Sequence, residues 1–310
     1  MTKNSKISTD THIIYFGTSE FSIYALEQLI KRGVVPCAIV TVPDRPAGRK
    51  MEMASPPLKI WALSHGVNFF QFEKLKEENT IETLKMLSPD LFIVASYGKI
   101  IPEALLQIPK HGALNVHPSL LPKLRGATPL QTSIIQDMEY TGVSIIQMDK
   151  EMDHGPIVAM HEEKIPGWPL PYPELEKYLA LKGANILTDS LEGYISGKLK
   201  LTEQIHENAT FTKKIEKQDG FITLDELTGE AGWNTFLKYN ALIEWPGLFF
   251  FAHKGGASKG VDGTVDGGVN IRVKVKEASW NTALETMEIL RVVPEGKKEM
   301  TWKDFENYIA

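Results

Sequence analysis

The segment Asn115-Val116-His117-Pro118-Ser119-Leu120-Leu121-Pro122 leads out of a short apolar run at residues 113–116. Comparable runs, several of them rich in Val and Ile, recur through the first two thirds of the chain. Near-continuous apolar runs of this length are typical of strands that are covered on both faces. We therefore predict strands at residues 12–16, 34–42, 67–72, 91–96, 113–116 and 143–148.

Amphipathic stretches separate these strands, and Gly33 and Gly66 stand where two of the stretches end. Glycine is favoured just past the end of a helix. The pattern predicts helices at residues 21–31, 57–65, 80–87, 102–107 and 128–137. Because strands and helices alternate, we expect an α/β fold with a doubly wound, mostly parallel, Rossmann-like sheet.

The last third of the chain has a different pattern. After a long predicted helix at residues 172–194 and a polar stretch, we predict a helix at 225–242. Short apolar runs with glycine-rich turns then predict strands at 248–252, 271–275 and 287–293, before a helix at 302–308. This pattern favours a small OB-like β-barrel. The expected organisation is a Rossmann-like domain at residues 1–206, a linker at 207–220 and the barrel domain at 221–310.

The composition of the chain excludes several classes of protein. No apolar stretch approaches the roughly 18 residues that cross a bilayer, and the first ten residues are polar. We expect a protein of the reducing cytoplasm with no membrane contact. The one cysteine, Cys37, excludes a disulfide within the chain and is expected to be a small core residue. A net charge of −5 argues against indiscriminate binding to nucleic acid, so RNA contacts would need local basic clusters.

The candidate chemistry lies at the strand ends. Asn115 and His117 close one predicted strand, and Asp153 follows the next strand in Met152-Asp153-His154-Gly155. Ligands of doubly wound sheets bind beyond the carboxyl ends of the strands, so we expect these three side chains to meet. An amide, an imidazole and a carboxylate can stabilise an oxyanion and move one proton, which acyl transfer to an amine requires. This chemistry needs no metal.

Other motifs point away from other classes of enzyme. Residues 16–20 follow the first strand, but their single glycine does not make the dinucleotide fingerprint, so we expect only a tight turn. The sequence has no Walker loop, no nucleophile elbow and no His/Cys cluster at metal spacing. His154 is expected to be an exposed loop histidine.

Longer blocks carry a resemblance to a known family. They are residues 115–122, 124–129 (Leu-Arg-Gly-Ala-Thr-Pro), 42–49 (Val-Pro-Asp-Arg-Pro-Ala-Gly-Arg), 94–98 (Val-Ala-Ser-Tyr-Gly), 141–148 (Thr-Gly-Val-Ser-Ile-Ile-Gln-Met) and 294–300 (Pro-Glu-Gly-Lys-Lys-Glu-Met). Over nearly its whole length the chain resembles the methionyl-tRNA formyltransferases, within the folate-dependent formyltransferase family. The central block is shared by that whole family, whereas the early loop and the late Gly-Lys-Lys segment resemble the tRNA enzymes in particular.

The resemblance implies 10-formyltetrahydrofolate as formyl donor and initiator methionyl-tRNA as acceptor. It implies that Asn115, His117 and Asp153 are catalytic. It also implies a folate pocket lined by two segments, which comprise Ser119, Leu120, Leu121 and Pro122, and Tyr97, Gly98, Lys99, Ile100 and Ile101. We expect a monomer, with no metal.

Basic residues are the candidates for RNA contact. Arg45, Arg49 and Lys50 occupy a loop at residues 43–56 that Pro and Gly punctuate, and we expect this loop to contact the acceptor end of tRNA. Lys214 and Lys217 in the linker are further candidates for phosphate contacts. Lys213 in the same linker, and Lys297 with Lys298, are candidates of the same kind. Each of these lysines is also explained as ordinary surface charge.

The resemblance to the methionyl-tRNA formyltransferases is weaker in the second domain, and other functions remain open. Residues 209–310 contain 13 Lys and Arg against 15 Asp and Glu, so this region is not the strongly basic barrel that RNA binding favours. A formyltransferase acting on an amino-sugar nucleotide or on glycinamide ribonucleotide would keep the three catalytic residues without the arginine loop. A 10-formyltetrahydrofolate hydrolase would use them with water, and a non-catalytic folate- or RNA-binding protein would not need them.

Overall fold

The computed structural model describes residues 11–47, 51–253 and 270–310. The chain divides into two compact units. The first comprises Met1–Pro129, Tyr140–Lys164 and Glu174–Lys213, and the second comprises Leu130–Glu139, Ile165–Pro173 and Lys214–Ala310. Within the described ranges, no helix is long and apolar enough to cross a membrane.

The first unit is built on a seven-stranded sheet with the order β5-β2-β1-β6-β7-β8-β9. From β5 to β7 all neighbours are parallel, which confirms the predicted mostly parallel sheet. The order reverses at β1, as in doubly wound sheets. The seven strands of this sheet are β1 (Ile13–Gly17), β2 (Ala38–Thr41), β5 (Phe69–Gln71), β6 (Leu91–Ala95), β7 (Ala113–His117), β8 (Tyr140–Gln147) and β9 (Ile157–Lys164). The strands β3 (Arg45–Ala47) and β4 (Glu52–Ala54) form a separate two-stranded sheet.

Both faces of this sheet are covered. Phe16 of β1 and Phe92 of β6 belong to one buried cluster with Leu84 and Leu105, which lie on helices. Ile93 alternates with Phe92 along its strand and must face the other side, yet it too is fully buried. The helices of the first unit are α1 (Glu20–Lys31), α2 (Pro57–His65), α3 (Glu78–Met86), α4 (Glu103–Leu106) and, except for its first two residues, α6 (Tyr172–Ile195). The helix α5 (Pro129–Ile135) belongs to the second unit except for Pro129.

A close helix–sheet approach fixes β7. At Gly183 of α6, an added Cβ would lie 2.4 Å from Cγ1 of Val116, so only glycine lets this helix pack so near the strand. Val116 and its neighbour Leu114 are buried beneath it, at 1% and 0% exposure. This packing holds β7 rigidly, and β7 carries Asn115 and His117.

The strand after β7 runs in the direction that the sequence argument did not anticipate. β8 pairs antiparallel to β7, with Leu114 opposite Gln147 and His117 opposite Ser144. The end of β8 therefore lies beside the start of β7, and Asp153 does not follow a parallel strand as expected. It lies instead in the connection from β8 to β9, a strand that was not predicted and that pairs antiparallel to β8.

Two local expectations were also wrong. Cys37 is exposed rather than part of the core, because β2 begins only at Ala38 and buried and exposed residues alternate before it. Burial of part of the thiol still raises the pKa of Cys37. The predicted loop at residues 43–56 contains the hairpin β3–β4, in which Arg45 pairs with Ala54.

The second unit contains an antiparallel sheet with the order β10-β11-β12-β13, as expected for the second domain. Its elements are α7 (Gly229–Leu242), β10 (Phe249–His253), β11 (Asn270–Asn281), β12 (Thr286–Pro294), β13 (Met300–Thr301) and α8 (Trp302–Ile309). The fully buried Phe250 packs against Trp302 and Phe305 of α8. β11 is longer than predicted. Closure into a barrel stays a prediction, because the glycine-rich insert at 254–268 lies outside the described residues.

Candidate active site

Asn115 and His117 project from the same face of β7, since residues two apart in a strand share a face. His117 is buried, at 4% exposure, and Asn115 is half-buried. Asp153 lies in the loop between β8 and β9 with its side chain 12% exposed. The loop brings the Asp153 carboxylate to both side chains.

The three side-chain tips converge. Asn115 Nδ2 donates a hydrogen bond to Asp153 Oδ1 across 3.3 Å, and His117 Nδ1 lies 3.5 Å from the same oxygen. The other carboxylate oxygen, Oδ2, accepts a hydrogen bond of 2.8 Å from the backbone N–H of Gly126. We call Asn115, His117 and Asp153 the Asn–His–Asp cluster. The structure thus brings together the three residues that the sequence singled out.

The other ring nitrogen of His117 is committed to the backbone. His117 Nε2 lies 3.0 Å from the carbonyl oxygen of Leu124, and a carbonyl can only accept, so Nε2 carries a proton. Nδ1 is therefore the only ring nitrogen that can face a ligand beside Asn115. With Nε2 protonated, Nδ1 can donate a hydrogen bond only when the ring carries both protons.

The turn after β7 is held by a buried serine of β8. Ser144 Oγ donates to the carbonyl oxygen of Ser119 at 2.7 Å and accepts from the backbone N–H of Leu121 at 3.0 Å. Ser119 donates in turn to the carbonyl of Lys123, and the Leu121-Pro122 peptide bond is cis. Ser119 and Leu121 are buried, whereas Leu120 and Pro122 are half-buried. The predicted folate-lining turn is thus a fixed structure.

The second predicted folate-lining segment follows β6. Tyr97 and Ile101 are buried, while Gly98 and Ile100 are exposed. Burial raises the pKa of Tyr97 to about 12, so its hydroxyl stays protonated, and among the described residues that hydroxyl has no hydrogen-bond partner. Lys99 is tied down by bonds of 2.8 and 3.2 Å to the carbonyls of Phe72 and Glu73, and desolvation lowers its pKa.

The residues predicted to contact RNA are exposed where the structure describes them. Arg45 forms an ion pair of 2.6 Å with Glu73, in which both side chains are 60% exposed. Arg49 and Lys50 lie outside the described residues. Lys214 and Lys217, in the second unit, are exposed.

The base of the Arg45 hairpin is better fixed than its charged side chains. Lys59 Nζ lies 2.7 Å from Asp44 Oδ2, and Gln71 donates to Asp44 Oδ1 at 2.9 Å. Ser55 donates to the same carboxylate. These hydrogen bonds hold the pKa of Asp44 below its usual value, with the Gln71 bond contributing most. The base of the hairpin is therefore anchored by the hydrogen bonds of Asp44.

Sequence reasoning missed several polar residues behind the Asn–His–Asp cluster. Gln204 and Arg125 are buried and bonded to each other, and Gln204 also contacts the Asp153 loop. His154 is half-buried rather than exposed, because its ring stacks on that of His206 and bonds to Asp149. Arg125 lay within a quoted block, but its partners follow it by 79 and 81 residues, a separation that no local pattern reveals.

Comparison with known proteins identifies the family of the chain. Residues 11–167 match the family model for formyl transferases. The methionyl-tRNA formyltransferase of Thermodesulfovibrio yellowstonii is 35% identical over 297 residues, which are 94% of this chain and 94% of that protein.

Solved structures share the fold. A methionyl-tRNA formyltransferase from Clostridium thermocellum has a TM-score of 0.55 at 16% identity, covering 94% of this chain and 99% of that one. A sugar N-formyltransferase from Shewanella has a TM-score of 0.58 at 17% identity, covering 81% and 99%. The fold is therefore common to enzymes with different acceptors, and it does not select among them.

Proposed function

The chain belongs to the methionyl-tRNA formyltransferase family, and from this premise we propose that it uses 10-formyltetrahydrofolate as donor and the Asn–His–Asp cluster as its catalytic group. It transfers a formyl group to the α-amine of methionine carried by tRNA. The observation that carries the catalytic proposal is the convergence of Asn115 Nδ2 and His117 Nδ1 on Asp153 Oδ1, at 3.3 and 3.5 Å. The donor is consumed in each turnover and is thus a substrate.

The amide of Asn115 suits stabilisation of the oxyanion. The neutral α-amine attacks the formyl carbon, a new C–N bond forms, and the carbonyl oxygen becomes negatively charged. Asn115 has two N–H groups, of which one contacts Asp153 and the other remains for that oxygen. Donors that are already oriented need no reorganisation when the charge develops, which is why they accelerate the reaction.

His117 adds a second donor from Nδ1. Since Nε2–H is held by the Leu124 carbonyl, donation from Nδ1 requires the doubly protonated ring, and Nδ1 lies 3.5 Å from Asp153 Oδ1. The sequence hypothesis did not specify which nitrogen donates. In this proposal Nδ1 is the ring nitrogen that faces the oxyanion.

Asp153 moves the proton. Attack by the amine leaves an excess proton on the attacking nitrogen, and N10 of the folate must gain one as the old C–N bond breaks. The Asp153 carboxylate accepts the first proton and returns it to N10, directly or through a water molecule, so that no net proton is lost. Its 12% exposed side chain is accessible enough for this exchange.

The folate site is proposed at the Ser119–Pro122 turn and the Tyr97–Ile101 segment. The pteridine of folate carries amide-like donors and acceptors on a flat ring. The buried Tyr97 hydroxyl, a neutral donor with a pKa of about 12, lacks a partner among the described residues, and a polar ring reaching it would supply one. The turn held by Ser144 supplies a rigid wall. The chain's own groups therefore fit such a donor.

The acceptor is tested by a parallel assay. The protein is given 10-formyltetrahydrofolate with charged initiator tRNA, with an amino-sugar nucleotide, or with water alone, and the transferred formyl group is measured in each. We expect formylation confined to the charged tRNA. Formylated sugar, or donor consumption without any acceptor, would replace the proposal by a sugar formyltransferase or a hydrolase. Initiator selectivity, a monomeric state and a cytoplasmic location stay predictions.

A further inference from the structure

A pair of buried polar side chains lies behind Asp153. Gln204 and Arg125 are each 4% exposed. Buried polar groups persist in folded proteins when their hydrogen-bonding capacity is satisfied, so their partners indicate what they hold in place. The partners here are each other, His206 and the loop that carries Asp153.

Both the nitrogen and the oxygen of the Gln204 side-chain amide form hydrogen bonds. Its Nε2 donates to the carbonyl oxygens of Asp153 and Gly155, at 2.9 and 2.8 Å. Its Oε1 accepts from Nε and Nη2 of Arg125, at 3.2 and 2.7 Å. A guanidinium can only donate and carbonyls can only accept, so the orientation of this amide is fixed.

The loop held by Gln204 needs support. Asp153 has a φ of 52°, in the left-handed region that disfavours residues with a side chain. At Gly155 an added Cβ would lie 1.9 Å from the carbonyl oxygen of Gln147, so the loop passes directly against the end of β8. Between them, His154 stacks on His206 with ring centroids 4.0 Å apart and bonds to Asp149.

Arg125 connects this anchor to His117. Its backbone lies between Leu124, whose carbonyl binds His117 Nε2, and Gly126, whose N–H binds Asp153 Oδ2. Its guanidinium donates to Gln204 and, at 2.8 Å, to His206 Nδ1. The segment that orients the imidazole and the loop that carries the carboxylate are therefore joined through one buried pair.

We propose that Gln204 and Arg125 are positioning residues that set the distance between His117 and Asp153. The inference rests on the proposed catalytic role of Asp153. Neither residue needs to touch substrate. Because small misplacements of reacting groups reduce rates strongly, loss of this pair is expected to lower kcat by about 10- to 100-fold.

Two substitutions at Gln204 separate positioning from packing. Gln204→Leu removes both halves of the amide. Gln204→Glu keeps acceptors for Arg125 but places an oxygen against the carbonyls of Asp153 and Gly155. The guanidinium keeps that carboxylate ionised, so it cannot donate to them. Gln28→Leu is the matched control, since the side-chain amide of Gln28 donates a hydrogen bond to Asn185 of α6 rather than to the Asp153 loop.

The measurements are kcat, the dissociation constant of 10-formyltetrahydrofolate and thermal unfolding, with Asp153→Asn in parallel. We expect both Gln204 variants to lose kcat by about 10- to 100-fold while folate affinity stays within about twofold. Gln28→Leu is expected to keep wild-type kcat. Wild-type kcat in folded Gln204→Glu, with Asp153→Asn inactive, would overturn the positioning role alone. Activity retained in Asp153→Asn would overturn the proposed catalytic role of Asp153 and the premise of the inference with it.

Discussion

The Asn–His–Asp cluster and the basic residues assigned to RNA differ in how strongly the fold constrains them. His117 is 4% exposed and both of its ring nitrogens have protein partners. Arg45, by contrast, is 60% exposed and pairs with an equally exposed glutamate. An exposed ion pair contributes little to stability and exchanges readily with other ions. The fold therefore constrains the proposed catalytic residues more tightly than the proposed contact of Arg45 with the acceptor.

Removing the amide of the cluster is expected to have the largest effect. Asn115→Ala should lower kcat by about 100- to 1000-fold, because one donor to the oxyanion is removed. Folate affinity should stay within about threefold, as measured by equilibrium binding. The control is Asn185→Ala on α6, which removes the hydrogen-bond acceptor of Gln28 and Arg32 and should keep kcat. Equal losses in kcat and affinity would contradict the oxyanion role.

The support of the Ser119–Pro122 turn comes next. Ser144→Ala leaves the Leu121 N–H and the Ser119 carbonyl without their buried partner, which should lower the free energy of unfolding by about 1–3 kcal/mol. Urea denaturation measures that decrease, and the KM for folate should rise with it. Ser190→Ala removes one side-chain hydrogen bond within α6 and should change neither the free energy of unfolding nor the KM for folate. A destabilised protein with an unchanged KM for folate would remove this turn from the proposed folate site.

The Arg45–Glu73 pair offers substitutions with opposite expected signs. Arg45→Ala should raise the KM for charged tRNA several-fold, whereas Glu73→Gln should lower it, because the arginine is then free to contact phosphate. Neither change should affect kcat at saturating tRNA. If Glu73→Gln leaves the KM unchanged while Arg45→Ala raises it, Arg45 acts through something other than its charge.

The smallest effect is expected for Lys214 and Lys217. In the double variant Lys214→Ala/Lys217→Ala, salt should weaken tRNA binding less steeply. The slope of the logarithm of the association constant against the logarithm of the salt concentration should become less negative by about 0.7–0.9 for each phosphate that these lysines neutralise. Lys276→Ala/Lys303→Ala removes two other exposed lysines of the second unit and is the control. The same slope in the linker variant and the wild type would identify Lys214 and Lys217 as ordinary surface charge.

Much of the fold followed from local patterns, with clear limits. The predicted helix at residues 57–65 is confirmed without change, since Pro57 and Gly66 mark its ends. β9 was missed, because only the first four of its eight residues are apolar in IVAMHEEK, and its second half is histidine and charged residues, which an edge strand tolerates. Cys37 was placed in the core, because an apolar run does not show where its strand begins.

The sequence by itself determined the alternation of strands and helices and the three residues that meet in the cluster, since hydrophobic spacing and short motifs are local properties. Only the tertiary structure decided that β8 is antiparallel to β7, and that the Asp153 loop is anchored by an amide 51 residues away in sequence. Burial patterns do not encode strand direction. Hydrogen bonds between distant segments form only when packing brings their donors and acceptors together, and they leave no periodic trace in the chain.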